Sequence, residues 1–285
     1  MTVTALPSLD TPIAFIGGGN MASALIGGLL RQGLPAAQLE VVEPFEPARA
    51  ALAQAFGVTA QAAPSPALAR ARLVLWAVKP QTFAAAAREV RTHAAPGALH
   101  LSVAAGITTD SIAHWLGSER IVRAMPNTPA LVGRGMTGLY ARPQVDAAAR
   151  ALVEQVLEPT GQLLWLQDEA QLDAVTALSG SGPAYVFLFL EAMARAGTEM
   201  GLTEAQARQL ALATFQGASE LAARSGDAPA LLRQRVTSPG GTTHAAISHM
   251  QQHQVPEQFI AAMHAAQARA QAMAAEFGKD HEAIP

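Results

Sequence analysis

The chain has 285 residues, half of them hydrophobic and 14% charged, with a net charge of −3 and no cysteine. That length suits one large or two ordinary domains and permits a substantial core without disulfides. A mildly acidic balance with no basic tract argues against a nucleic-acid partner, and the lack of cysteine excludes a disulfide framework, a thiol nucleophile and a thiolate metal site. The mean hydropathy of +0.20 owes most to alanine, which favours helices and their close approach, so many helices and an apolar subunit contact are expected.

Residues 1–10 lack the apolar stretch of a secretory leader, and no export signal is expected there. Residues 13–16 form a short apolar run ending in glycines, the pattern of a buried strand. A helical stretch over 21–31 follows, with Gly33 as its stop. Next come a strand over 39–42, a helix over 47–56, and a strand over 73–78 halted by Lys79 and Pro80. A helix over 81–93 and strands over 98–103, 121–124, 137–140 and 163–166 complete this half. Strands alternating with helices imply βαβ units, hence an N-terminal α/β Rossmann-like domain with a parallel-rich sheet.

Beyond residue 166 no strand pattern recurs. The remainder reads as helices broken at 179–183, Gly201, 226–229 and 238–241, an all-α C-terminal domain. The expected division is therefore 1–166 and 167–285. In the last helix Phe259, Met263, Ala266, Ala270, Met273 and Phe277 recur at steps of four and three, a narrow seam that fits either its own domain's core or a subunit contact. Trp76, Trp115, Trp165, Tyr185, Phe187 and Phe189 read as packing residues. The longest strongly apolar run, 184–190, is too short to cross a membrane, and the expected compartment is the cytoplasm.

Gly17-Gly-Gly-Asn-Met-Ala22 fits G-x-G-x-x-G/A directly after a strand and at the opening of a helix. Gly17 permits a tight turn, Gly19 lets the backbone approach a pyrophosphate, and Ala22 lets helix and strand pack closely. The anion then rests on the free amides of the helix start, Asn20 and Met21 among them. Glu43 ends the second strand, where an acidic residue accepts the ribose 2′-hydroxyl of NAD. Arg49, six residues on, offers a partner for a 2′-phosphate instead. NADPH and NADH both remain open on this reading.

A second polar turn, Ser238-Pro-Gly-Gly-Thr-Thr243, leads into another helical stretch. Its glycines expose amides for an anion, and Ser238, Thr242 and Thr243 add hydroxyls that can donate to a carboxylate or an imine nitrogen. Arg123-Ala-Met-Pro-Asn-Thr-Pro129 follows a strand, at the end where open α/β sheets bind ligands; its prolines bracket a rigid polar loop around Asn127 and Thr128, suited to a nicotinamide or substrate. His249 and His253 stand four apart near His244, but no cysteine or carboxylate completes a metal set, and no metal is expected.

The segments 15–22, Ala77-Val-Lys-Pro-Gln81, Met125-Pro-Asn-Thr-Pro129, 173–186 and Val236-Thr-Ser-Pro-Gly-Gly-Thr-Thr243 together resemble pyrroline-5-carboxylate reductases, in the family's order and roughly its spacing. The resemblance implies NAD(P)H-dependent reduction of 1-pyrroline-5-carboxylate to L-proline, the last step of proline biosynthesis. It also implies a homodimer with interlocked C-terminal helices, and in some members a larger assembly of dimers. Gly17, Gly19, Asn20 and Met21 would lie at the pyrophosphate; Ala77, Val78, Lys79 and Pro80 would border the cofactor; Met125 and Pro126 would line the nicotinamide. Ser238, Gly240, Gly241, Thr242 and Thr243 would hold the substrate, with Thr243 bonding the ring nitrogen as the catalytic contact. One departure concerns 64–66, Pro-Ser-Pro here, where many members carry a cofactor-holding Asn.

Two other readings are weaker. A 3-hydroxyacid dehydrogenase shares the two-domain plan but uses a lysine early in its second domain, and the lysines of this chain are Lys79 and Lys279. A nucleotide-binding module without turnover would suit the Rossmann segment alone, but it has no need of the second polar turn.

Overall fold

The computed structural model describes residues 12–278; the leader expectation at 1–10 and Lys279 lie outside them. The chain packs as two compact units. The first reaches Ser181 and takes in the segment 266–278; the second runs from Gly182 to Ala265.

In the first unit, strands β1 (Ile13–Ile16), β2 (Leu39–Val42), β3 (Ala60–Gln61), β4 (Leu73–Trp76), β5 (Leu99–Ser102), β6 (Ile121–Met125), β7 (Gly135–Ala141) and β8 (Gly161–Trp165) form one sheet in the order β3-β2-β1-β4-β5-β6-β7-β8. Helices α1 (Asn20–Arg31), α2 (Glu46–Phe56), α3 (Pro80–Val90), α4 (Thr109–Leu116) and α5 (Ala147–Leu157) connect them. The strand order reverses between β1 and β4, whose residues pair in parallel from Ile13 with Leu73 to Ile16 with Trp76. A reversal of this kind leaves a crevice at the carboxyl ends of the strands.

Period-two alternation divides the core into two layers. Ile13, Phe15, Leu73 and Leu75 face one layer with Leu25 and Leu29 of α1 and Val153 of α5. Ala14, Ile16, Val74 and Trp76 face the other with Phe83 of α3 and Trp115 of α4. With both faces covered, each strand is apolar throughout, which is why it reads as a continuous run. β7 is antiparallel to β6, because the connection 126–134 is too short for a crossover helix.

The expected strands are present to within about two residues. Helices α4 and α5 and the two-residue β3 escaped the sequence reading. α4 is short, and α5 begins with three alanines that blur the contrast between faces. Their caps were visible in the sequence: Thr108 Oγ1 accepts from the Ser111 amide and Asp146 Oδ1 from the Ala149 amide.

The boundary expected at 166/167 does not coincide with the division by packing. α6 (Gln171–Val175) lies across β7, where a β-carbon on Gly138 would sit 2.9 Å from Val175 Cγ1. Just before it, Glu169 accepts from the Thr109 amide at 2.7 Å, from the Thr109 hydroxyl, and from Arg123 Nη1 at 3.0 Å. Arg123 is 4% exposed in the sheet interior. An arginine so buried requires its carboxylate, and that requirement holds 169–181 to the first unit.

The second unit contains α7 (Gly182–Glu199), α8 (Glu204–Ser225), α9 (Pro229–Arg235), α10 (Thr242–Gln252) and the first half of α11 (Val255–Phe277). The seam of α11 packs against its own chain at both ends. Phe259 meets Tyr185 and Phe189 edge-on within the second unit. In the first unit Met273 abuts Gly106, and Phe277 packs on the layer that holds Trp115. Phe187, Leu188, Leu210 and Leu221 of α7 and α8 are more than half exposed. Phe187 therefore departs from the packing role expected of it, and the patch has the character of an association surface. Among the described residues, no helix is long and apolar enough to cross a membrane.

Two stability measurements test this account. Glu169→Ala leaves the Arg123 charge buried without its partner and is expected to lower the unfolding free energy by about 3–5 kcal/mol, read from the urea midpoint. His100, buried in β5, accepts from Trp76 Nε1 at 3.3 Å, and burial lowers its pKa to about 4. The unfolded chain therefore takes up this proton first, so the His100 contribution is complete above about pH 6.5 and falls by up to about 1.4 kcal/mol per pH unit down to about pH 4. His100→Gln, which keeps an acceptor for Trp76, should flatten the urea-measured pH dependence in that window.

Candidate functional site

The glycine loop crosses the crevice between β1 and β4. The Gly17 amide donates to Val42 O and the Ala77 amide to Ile16 O, both at 2.8 Å, so the ends of three strands are bonded together. Gly17 has φ +98°, and a β-carbon there would lie 2.5 Å from Ala77 O. Only glycine satisfies both conditions. Gly19 is the N-cap of α1 without any side-chain cap, and a β-carbon there would meet nothing within 4 Å. Open space beside the uncapped amides of Asn20 and Met21 fits a pyrophosphate, which the helix start attracts.

Glu43 lies directly beneath this turn. Its Oε2 accepts from the Gly18 amide at 2.6 Å and its Oε1 from the Phe45 amide at 2.8 Å. Arg49 Nη1 donates to the carbonyls of Glu43 at 2.9 Å and Pro44 at 2.7 Å. Ser65, in the segment that departs from the family pattern, caps the following 3-10 turn by accepting from the Ala67 amide. Beyond β4, Ala77 and Val78 are half-buried, exposed Lys79 is the N-cap of α3, and Pro80 opens that helix.

At the end of β6, Met125 is half-buried and Pro126 buried. The loop around Asn127 and Thr128 was expected to suit a nicotinamide or substrate, or to serve as a stiff connection; the Asn127 side chain is engaged within the first unit. Its Nδ2 donates to Ser179 O at 3.2 Å and Ser179 Oγ at 3.1 Å, and its Oδ1 accepts from the Met136 amide at 3.0 Å. Residues 176–180 form a π-type turn, and Gly180 leaves room for Met125, whose Cε lies where a β-carbon would come within 2.5 Å. This clamp and the Glu169 network went unread because they join residues some 50 positions apart.

In the second unit, Ser238–Thr243 forms a turn closed by the Gly241 amide on Ser238 O at 3.0 Å, with Gly240 at φ +73°. Gly241 is the N-cap of α10 and supplies no side-chain cap. The hydroxyls of Ser238, Thr242 and Thr243 have no hydrogen-bond partner among the described residues. Free amides and free hydroxyls so arranged can receive a carboxylate and a ring nitrogen. Arg235 is paired with Asp227. The rings of His249 and His253 lie 4.1 Å apart, and no metal-binding group of three occurs among the described residues.

Thus the structure brings Gly17, Gly19, Asn20, Met21, Glu43 and Ala77 to one crevice, with Val78, Lys79 and Pro80 continuing from it. Met125 and Pro126 stand at the carboxyl end of β6 in the same unit, while Ser238–Thr243 belongs to the second. A separate cavity of about 530 Å³ lies at the amino ends of β4, β5 and β6, lined by Arg72, Arg120 and Asp146 among others, and contains none of these residues.

Comparison with known proteins gives a family model for each half of the chain. Residues 12–106 match the family model described as NADP oxidoreductase coenzyme F420-dependent, and residues 169–273 the one described as pyrroline-5-carboxylate reductase dimerisation. The chain is 46% identical to a pyrroline-5-carboxylate reductase of Pseudomonas aeruginosa across 95% of this chain and 100% of that protein. A solved pyrroline-5-carboxylate reductase from Coxiella burnetii is 37% identical with a TM-score of 0.85, covering 92% of this chain and 98% of its own. A Plasmodium falciparum pyrroline carboxylate reductase with NADP bound is 26% identical with a TM-score of 0.84, covering 93% and 98%. The match in sequence and fold along nearly the whole chain shows that the protein belongs to the pyrroline-5-carboxylate reductase family.

Proposed function

We propose that the protein reduces 1-pyrroline-5-carboxylate to L-proline with NAD(P)H, and that the residues assembled above divide the work between coenzyme and substrate. The observation that carries the reading is the uncapped glycine loop at the sheet's reversal, in a chain 46% identical to such a reductase. The bound coenzyme supplies the hydride.

Gly17, Gly19, Asn20 and Met21 seat the pyrophosphate on the start of α1. Ala77, Val78, Lys79 and Pro80 border the coenzyme, and Glu43 faces its adenosine ribose. Met125 and Pro126 line the nicotinamide. Met125 is steadied by its packing on Gly180 and the loop by the Asn127–Ser179 bonds, which supports a fixed hydride-donor position.

The amides and hydroxyls of Ser238, Gly240, Gly241 and Thr242 hold the substrate carboxylate. Thr243 bonds the ring nitrogen, fixing the imine's orientation and the site of its protonation. A protonated imine is already electrophilic, so this arrangement needs no strong general acid.

The second unit is a dimerisation module and the protein a homo-oligomer. The exposed apolar residues of α7 and α8 support a dimer in which each chain's helices interlock with its partner's, and further association of dimers.

Two sets of variants test the assignments. Thr243→Ala should lower kcat/KM for the imine by about ten- to hundredfold, as expected for a hydrogen bond to a charged group, while Thr243→Ser retains most activity. A loss of twofold or less in Thr243→Ala would refute its role. Gly19→Ala places a methyl in open space, so thermal stability should hold while the coenzyme KM rises at least about tenfold. Gly17→Ala forces a β-carbon onto Ala77 O and should lower the melting temperature as well.

A further inference from the structure

We infer that this enzyme prefers NADH to NADPH and that Glu43 sets the preference; the inference rests on the reductase reading above. The comparisons by their descriptions point toward NADP, through the model matched by residues 12–106 and one solved relative at 26% identity, but neither reads this chain's own residues. Those at the adenosine end of the crevice carry the inference.

Glu43 follows the last residue of β2, and its carboxylate is fixed by two backbone donors, the amides of Gly18 and Phe45. The side chain sits so close under the turn that a β-carbon on Gly18 would be 3.1 Å from Glu43 Cγ. Each carboxylate oxygen can accept more than one hydrogen bond, so both retain capacity for a ribose hydroxyl. A 2′-phosphate offers no comparable donor and carries roughly 1.5–2 negative charges. Facing a carboxylate that two amides hold in place, it meets repulsion.

Arg49 was the alternative, as a phosphate ligand. Its Nη1 is bonded to the carbonyls of Glu43 and Pro44, so the guanidinium braces the loop that carries Glu43. With Nη1 committed to those carbonyls, the guanidinium is oriented by the loop that carries Glu43, and a 2′-phosphate would be met by Nε and Nη2 alone.

The test is coenzyme binding to the full-length enzyme, followed by energy transfer from tryptophan to the reduced nicotinamide. NADH should bind at least about tenfold more tightly than NADPH. Glu43→Gln removes the charge while keeping an acceptor for the Gly18 amide, and should shrink that ratio at least about fivefold. In the wild type, raising the ionic strength should narrow it too, which needs no folded variant. Equal or tighter NADPH binding overturns the inference, as does a ratio indifferent both to Glu43→Gln and to salt.

Imine-dependent oxidation of both coenzymes, run in parallel, separates the two claims. If the binding ratio holds but neither coenzyme is oxidised, the reductase reading fails and the coenzyme preference stands. If oxidation proceeds equally well with NADPH, the preference fails and the reductase reading stands.

Discussion

A single steric constraint organises the coenzyme half of the molecule. The Ala77 carbonyl at the end of β4 stands 2.5 Å from where a β-carbon on Gly17 would be, while the Gly17 amide reaches across to Val42 O at the end of β2. The loop can close only because residue 17 has no side chain and adopts a positive φ. Once it closes, α1 starts at a defined point with its first amides uncapped. The crevice proposed for the coenzyme, the proposed seat for its pyrophosphate and the position of Glu43 under Gly18 all follow from that closure.

A second constraint is electrostatic. Arg123 lies inside the sheet, where an unpaired charge would be prohibitive, and Glu169 answers it while also accepting from Thr109. This fixes the start of the segment that continues through α6 and the π-type turn. Asn127 bonds to Ser179 further along the same segment. Two polar clamps therefore hold residues 169–181 against the carboxyl end of the sheet, on the side where ligands bind in folds of this kind. Buried polar networks of this sort fix one arrangement more than they add stability.

The second unit follows a different logic. Its helices bury few side chains within the chain, with Ala207 and Ala211 the buried positions of α8, and leave Phe187, Leu188, Leu210 and Leu221 open. Such helices lack enough interior of their own, in keeping with the dimerisation family they match and with a homo-oligomer. The Ser238–Thr243 turn is carried by this unit, so the proposed substrate site is tied to the element that makes the oligomer.

Much of this was legible in the sequence. Apolar runs of four or five residues marked the central strands because a strand covered on both faces must be apolar throughout. The two glycine turns were legible because tight turns and uncapped helix starts demand particular residues at fixed offsets. What only the tertiary structure decided lies between residues distant along the chain: the Glu169–Arg123–Thr109 network, the inward turn of Asn127, the bonding of Arg49 to two carbonyls, and the packing of 169–181 with the first compact unit. These depend on which side chains meet after the chain has closed on itself. Local spacing reports propensity and periodicity, whereas the partner of a buried charge is chosen by the fold.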